Sequence, residues 1–181
     1  SINNGAGKSL SHVYTLAQSG YEVGYQLKNN GYDSFLNNPN VDLKWDYKPL
    51  LQEKNVEQSR IHSAINFFSK ENDFDDFADK ITDFSEEEIE DDLDWIAMKQ
   101  HFFVSAIIAK TPLKDVALSS ESIMDDSVYF RTNTVKATTT LASLGDSEAM
   151  KFYFGPNDIE VLETVTTGFE ENVYLGFPVI S

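Results

Sequence analysis

The sequence predicts an all-β fold, a β-sandwich with one or two short helices, and three observations carry that prediction. Hydrophobic and polar residues alternate in Tyr21–Lys28 and again in Val41–Lys48, the period of strands with one face in a core and the other in water. Two further runs, Ile61–Ser69 and Val128–Thr140, are rich in the β-branched and aromatic side chains that pack well on a pleated surface. Turn-forming residues punctuate these runs at Ser19-Gly20, Asn29-Asn30-Gly31, Asn37-Asn38-Pro39-Asn40 and Leu144-Gly145-Asp146. With 181 residues, 41% of them hydrophobic and 13% aromatic, the chain has the material for one buried core, since a domain of this size removes roughly 70% of its unfolded surface from water.

Residues 1–10 read as a flexible lead-in and 11–181 as one sandwich domain. Tyr21, Val23, Tyr25 and Leu27 share one face of the first alternating run, and Val41, Leu43, Trp45 and Tyr47 share one face of the second. Glu71–Asp94 holds thirteen acidic residues and one basic residue, Lys80, and so carries −12 of the total −16. It is predicted to be a solvated, linker-like stretch with short helical pieces: Phe74, Phe77 and Ile81 fall at helical spacing, and Ser85 with Glu88 has the form of a capping box. Trp95–Lys110 reads as one long or bent central strand, with Ile96, Met98, Phe102, Val104, Ala106 and Ile108 on one face and Gln100 its single polar member. Met150–Phe154 and Asn172–Phe177 are predicted strands. Between them Pro156 is expected to open a helix, with Ile159, Leu162 and Val165 as its buried stripe and Gly168 as its stop.

Charge and composition exclude several functions. A net charge of −16 makes contact with nucleic acid or an anionic lipid surface repulsive on balance. The absence of cysteine removes thiol catalysis, disulfides and thiolate zinc sites. The longest apolar run, Phe102–Ala109, is far short of the ~20 residues of a spanning helix. No basic stretch followed by an apolar one opens the chain, so no secretory leader is expected, and Ser1 reads as an expression scar.

Motifs that suggest chemistry are incomplete. Gly5-Ala6-Gly7-Lys8-Ser9 has the end of a phosphate loop, but Ile2 stands where its first glycine belongs. His12, His62 and His101 sit on three separate segments without ligand spacing. Asp73, Asp75, Asp76 and Asp79 start like a calcium loop, yet Phe84 occupies the position of its closing glutamate. No Gly-x-Ser-x-Gly elbow is present. The expectation is therefore no catalytic residue, no cofactor and no metal.

In Asp94–Ile108 (DWIAMKQHFFVSAII) the chain resembles the periplasmic domain of the YidC membrane-protein insertases, through Trp95, Lys99, Gln100, Phe102 and Phe103. Tyr153–Asp158 (YFGPND), with Gly155 and Pro156, and Gly168–Pro178 (GFEENVYLGFP), with Gly176, extend the likeness. Tyr21–Tyr25, Leu43–Trp45 and Glu53–Ser63 match more loosely. The resemblance implies a β-super-sandwich of galactose-mutarotase-like architecture, with these motif residues in structural roles. It places the domain on the periplasmic face of the inner membrane of a Gram-negative bacterium. The family inserts and folds inner-membrane proteins. The implied partners are SecDF, the Sec translocon and nascent inner-membrane proteins, met through the full-length protein, with membrane contact only through segments this chain lacks. Relative to the family the chain lacks the domain's N-terminal part, so an incomplete sandwich is expected. Two functions follow: a non-enzymatic domain serving protein contacts and positioning on the membrane helices, or, from fold analogy, a carbohydrate-binding or carbohydrate-modifying sandwich. Aromatic platforms with a His–carboxylate pair in a cleft would favour the second.

Overall fold

The computed structural model describes residues 2–3, 7–32, 39–51, 56–77 and 83–173. Its strands are β1 (Ile2–Asn3), β2 (Ser9–Leu16), β3 (Glu22–Asn30), β4 (Asn40–Tyr47), β5 (Ala64–Ser69), β6 (Asp73–Phe77), β7 (Phe84–Ile89), β8 (Leu93–Lys99), β9 (Phe103–Ser122), β10 (Arg131–Thr140) and β11 (Met150–Pro156). Short helices α1 (Val56–Ile61), α2 (Leu141–Gly145) and α3 (Ile159–Leu162), with a 3-10 turn at Phe169–Asn172, complete the described chain. It is an all-β sandwich, as the alternation predicts.

Two antiparallel sheets share one strand. The first runs β1–β2–β3–β11–β9–β8–β5–β6 and the second β4–β10–β9–β7. Phe103–Ala109 of β9 pairs with β11 in the first sheet, whereas Lys114–Ser122 pairs with β10 in the second. The transfer is made at a bulge. Thr138 faces Lys114 and Lys136 faces Ala117, so Asp115 and Val116 together oppose Ala137, and Asp115 has φ 49°. An extra residue of this kind bends a strand and increases its twist. The main core lies between the sheets, on Ile65, Phe67, Phe77, Leu93, Ile96, Met98, Leu113, Leu118 and Val135. A second apolar layer, on the outer face of the first sheet, holds Phe68, Trp95, Val104, Tyr153, Leu162 and Phe169.

Several expectations are corrected here. Trp95–Lys110 is two strands, with a tight turn at 100–102 closed by the Gln100 N–H donating to the Phe103 carbonyl at 2.8 Å. Across that turn Ile96 pairs with Ile107 and Ala97 with Ala106. Even positions of β8 therefore lie beside odd positions of β9. Ile96 and Met98 face the main core, while Val104 and Ala106 face the outer layer. The acidic segment is neither linker nor helix where it is described. It supplies β6 and β7, which form an edge of each sheet, while Ile81 lies outside the described residues. Phe74 and Phe77, read as a helical stripe, instead serve opposite faces of β6, packing on the outer layer and the main core. The lead-in is partly a strand pair, β1 with the start of β2. Residues 56–61, partly read as strand, form α1. Pro156 ends β11, and α3 is capped instead by Asp158, whose carboxylate accepts the N–H groups of Glu160 and Val161. Gly168 adopts φ 70° and caps the 3-10 turn that replaces the start of the last expected strand.

Candidate functional site

The sandwich is open on one side. Between the sheets, where β2, β3 and β11 face β4 and β10, lies a cavity of about 460 Å³. Its floor is made by buried residues of the main core, Leu113, Val135 and Met150. Its mouth is made by Tyr14 and Phe154, the latter 55% exposed. Aromatic rings run across the first-sheet wall: Tyr14 and Tyr25 are 5.3 Å apart, Tyr25 and Phe152 5.8 Å, and Phe152 and Phe154 6.4 Å and near-parallel. Trp45 stands on the opposite wall. Period two explains the wall, because Val23 and Tyr25 of β3 and Leu43 and Trp45 of β4 all point inward.

Polar groups in the cleft are few. The ring Nδ1 of His12 lies 2.9 Å from the Tyr25 hydroxyl. Burial, reinforced by the neighbouring Tyr14 hydroxyl, pushes the Tyr25 phenol above its ordinary range. No carboxylate lines the cleft among the described residues. The His–carboxylate pair that would mark sugar chemistry is thus not met there, while the aromatic surfaces are. An apolar cavity of this size with few polar groups suits a largely apolar guest.

The motif residues gather elsewhere, at the end of the β8–β9 hairpin and its neighbour β11. Trp95 is fully buried in the outer layer, its indole N–H donating to the Thr167 carbonyl at 2.9 Å and its ring 5.1 Å from Phe169. Gln100 is buried, and its side chain meets the Tyr47 hydroxyl at 3.3 Å and donates to the Leu50 carbonyl at 3.2 Å. Lys99 is half-buried, and desolvation holds its ammonium below the usual lysine range against the opposing pull of Asp76. Pro156 pairs with Phe103 and Gly155 with Val104. Phe102, read as part of the apolar face of one long strand, is 58% exposed at the turn, and Phe103 beside it is 53% exposed. Gly176 lies outside the described residues, as do Leu175 and Phe177.

Topology also joins residues that are distant in sequence. His62 and His101 stack at 4.1 Å, and His101 stacks on Phe102 at 4.1 Å. Among the described residues no group of three His, Asp or Glu side chains is placed to hold a metal. The sequence reading missed β2, whose His12 and Tyr14 belong to the cleft. Its signal was available, since Leu10, His12, Tyr14 and Leu16 alternate with Ser11, Val13 and Thr15. The far floor, Ile107 to Leu113, was beyond reach because it depends on where β9 bends.

The model of the YidC periplasmic domain family matches residues 1–180. The membrane protein insertase YidC of Cytophaga hutchinsonii is 30% identical over 98% of this chain, which spans 30% of that relative. YidC of Phocaeicola vulgatus is 28% identical over 98% of the chain and 30% of the relative. YidC of Amoebophilus asiaticus is 26% identical, with 94% of the chain and 29% of the relative covered. The chain therefore spans about a third or less of the length of the curated relatives it matches.

Proposed function

This chain belongs to the YidC periplasmic domain family, and from that premise we propose that it is a non-enzymatic contact module of a membrane protein insertase. It works on the periplasmic face of the inner membrane and receives apolar polypeptide segments in its inter-sheet cleft. The observation that carries the reading is the cleft itself: an apolar, aromatic-walled cavity whose lining, among the described residues, holds one histidine and no carboxylate. Aromatic side chains bury large area at little cost in flexibility, which favours holding varied apolar sequences. The guests proposed are nascent inner-membrane proteins and the Sec translocon with SecDF. The outer layer, where residues 157–173 lie against Trp95, is proposed to set how the domain sits on the membrane helices of the full-length protein. Sugar chemistry is the weaker reading, since the titratable pair of the described cleft, His12 with Tyr25, brings no carboxylate to share the acid–base work.

The test is photo-crosslinking in the full-length protein during insertion. A photoreactive residue at Tyr14 or Phe154 should capture polypeptide, and filling the cleft by Ala137→Trp should abolish the capture. Equal capture from Glu87, on the acidic edge, would overturn the assignment of the cleft. Measurable mutarotation by the purified chain would overturn the non-enzymatic reading.

A further inference from the structure

From the edge chemistry of the second sheet, independently of the cleft, we infer that β4 is a self-pairing edge: two copies of the chain join by antiparallel β4–β4 pairing, with Trp45 on the two-fold axis. Among the described residues the β4 ladder runs to β10 on one side only, with Val41 opposite Thr139 through to Tyr47 opposite Asn133. A strand paired on one side presents a row of backbone donors and acceptors to any strand that fits. What fits is decided by the side chains.

Outward-facing residues of this segment are Asp42, Lys44, Asp46 and, just past the strand end, Lys48; the inward ones are Leu43, Trp45 and Tyr47. With Trp45 opposite its own copy, Lys44 faces the second copy's Asp46 and Asp42 faces its Lys48. Every outward pair is then of opposite sign. On the inward face Leu43 meets Tyr47, and Trp45 meets Trp45. A slip of two residues either way sets Lys44 against Lys44, or Asp46 against Asp46, and makes the outward pairs like-charged. A slip of one residue places charges opposite apolar side chains. Because a single-residue shift exchanges the faces of a strand and directly opposed like charges repel, the register centred on Trp45 survives slips of one or two residues, and slips of four, centred on Leu43 or Tyr47, keep two opposite-charge pairs in place of its four.

The environment of Lys44 points the same way. Its partner across the existing ladder is Lys136, a like charge. Its ammonium is held by Asp46 of its own strand at 2.8 Å, while Asp46 also accepts the Thr134 hydroxyl at 2.8 Å. Both side chains are at least half exposed, so a second copy's Asp46 meets a lysine that has a cation on its other side. The other acidic edges do the opposite. β6 carries Asp73, Asp75 and Asp76, and β7 carries Glu86, Glu87 and Glu88, rows that repel a second copy. Only β4 of these three edges is complementary to itself.

The experiment is sedimentation equilibrium on the chain and on three variants, with circular dichroism to show that each is folded. The wild type should give a concentration-dependent dimer. Lys44→Asp should weaken it about tenfold or more, since two cross-strand attractions become repulsions, and Asp46→Lys should do likewise. The exchanged double variant, Lys44→Asp with Asp46→Lys, should recover the dimer, because the pairs are again opposite in sign. As an independent readout, Trp45→Cys in this cysteine-free chain should form a disulfide-linked dimer under mild oxidation much faster than Asp42→Cys, whose position lies off the axis. A wild type that stays monomeric overturns the inference, whether its β4 amides exchange freely or are protected by another segment. So does a dimer unmoved by Lys44→Asp, or a double variant that fails to recover.

Discussion

Tyr153 and Gly155 show how much one residue can impose on its neighbours. The Tyr153 ring is buried in the outer layer and its hydroxyl donates to the Pro156 carbonyl at 2.9 Å. It folds back across Gly155, where a Cβ would sit 2.5 Å from that hydroxyl and 2.7 Å from the Tyr21 ring. Gly155→Ala is therefore expected to destabilise the domain by about 1–3 kcal/mol, the usual cost of overpacking, read as a lower urea midpoint. Burial, with Tyr21, Asp158 and Glu22 adding to it, pushes the Tyr153 phenol up to about 12. A phenol whose value is raised by folding contributes stability in full below about pH 10, and that contribution is lost as pH rises through the folded value. Of the wild type's alkaline loss between about pH 8 and about pH 11, about 1 kcal/mol is expected to belong to this residue. Tyr153→Phe should remove that share while costing about 1 kcal/mol near neutrality for the lost hydrogen bond. Urea unfolding at about pH 8 and about pH 11 measures both; an unchanged alkaline loss in the variant would contradict the assignment to Tyr153.

At the scale of elements, the C-terminal segment acts as a cap on the first sheet. Residues 157–173 close over Trp95 through Leu162 and Phe169, both fully buried. Asn66 donates to Asn172 at 2.9 Å, and Asn157 donates to the carbonyls of Gln100 and Asn172. The hairpin end and the cap thus hold each other in place. Leu162→Ala is expected to cost about 2–5 kcal/mol, from lost contacts and the cavity left behind. Because Trp95 lies under the cap, its fluorescence should shift to the red in that variant, while Trp45 on the other side of the sandwich gives a constant background. A variant as stable as wild type with unshifted emission would show that the cap is not anchored through Leu162.

For the whole molecule, charge is distributed by topology. Where it is described, the acidic segment provides two sheet edges, β6 and β7, whose outward carboxylates discourage edge-to-edge association. A net charge of −16 still opposes compaction through self-repulsion. Raising ionic strength from about 10 mM to about 200 mM shortens the screening length severalfold, so the melting temperature should rise. Neutralising substitutions Glu86→Gln and Glu88→Gln should shrink that rise. A melting temperature that falls with salt would mean that attractive ion pairs such as Lys114–Asp92 and Lys70–Asp94 outweigh the repulsion.

The sequence by itself determined the class of the fold, since period-two alternation in Tyr21–Lys28 and Val41–Lys48 is local information and any strand with those residues must hide one face. It also determined the charge, the absence of thiol chemistry and the family motifs around Trp95 and Gly155. Tertiary structure decided the rest, because pairing partners are remote in the chain. The turn at Gln100–Phe102 reverses the phase of the alternation, so Val104 and Ala106 serve a different core from Ile96 and Met98. The carboxylate-rich strands β6 and β7 hold as strands only because β5 and β9 pair with them. The cleft exists because β9 bends at Asp115 and joins two sheets that meet along one side and part on the other, a geometry that no local run of residues encodes.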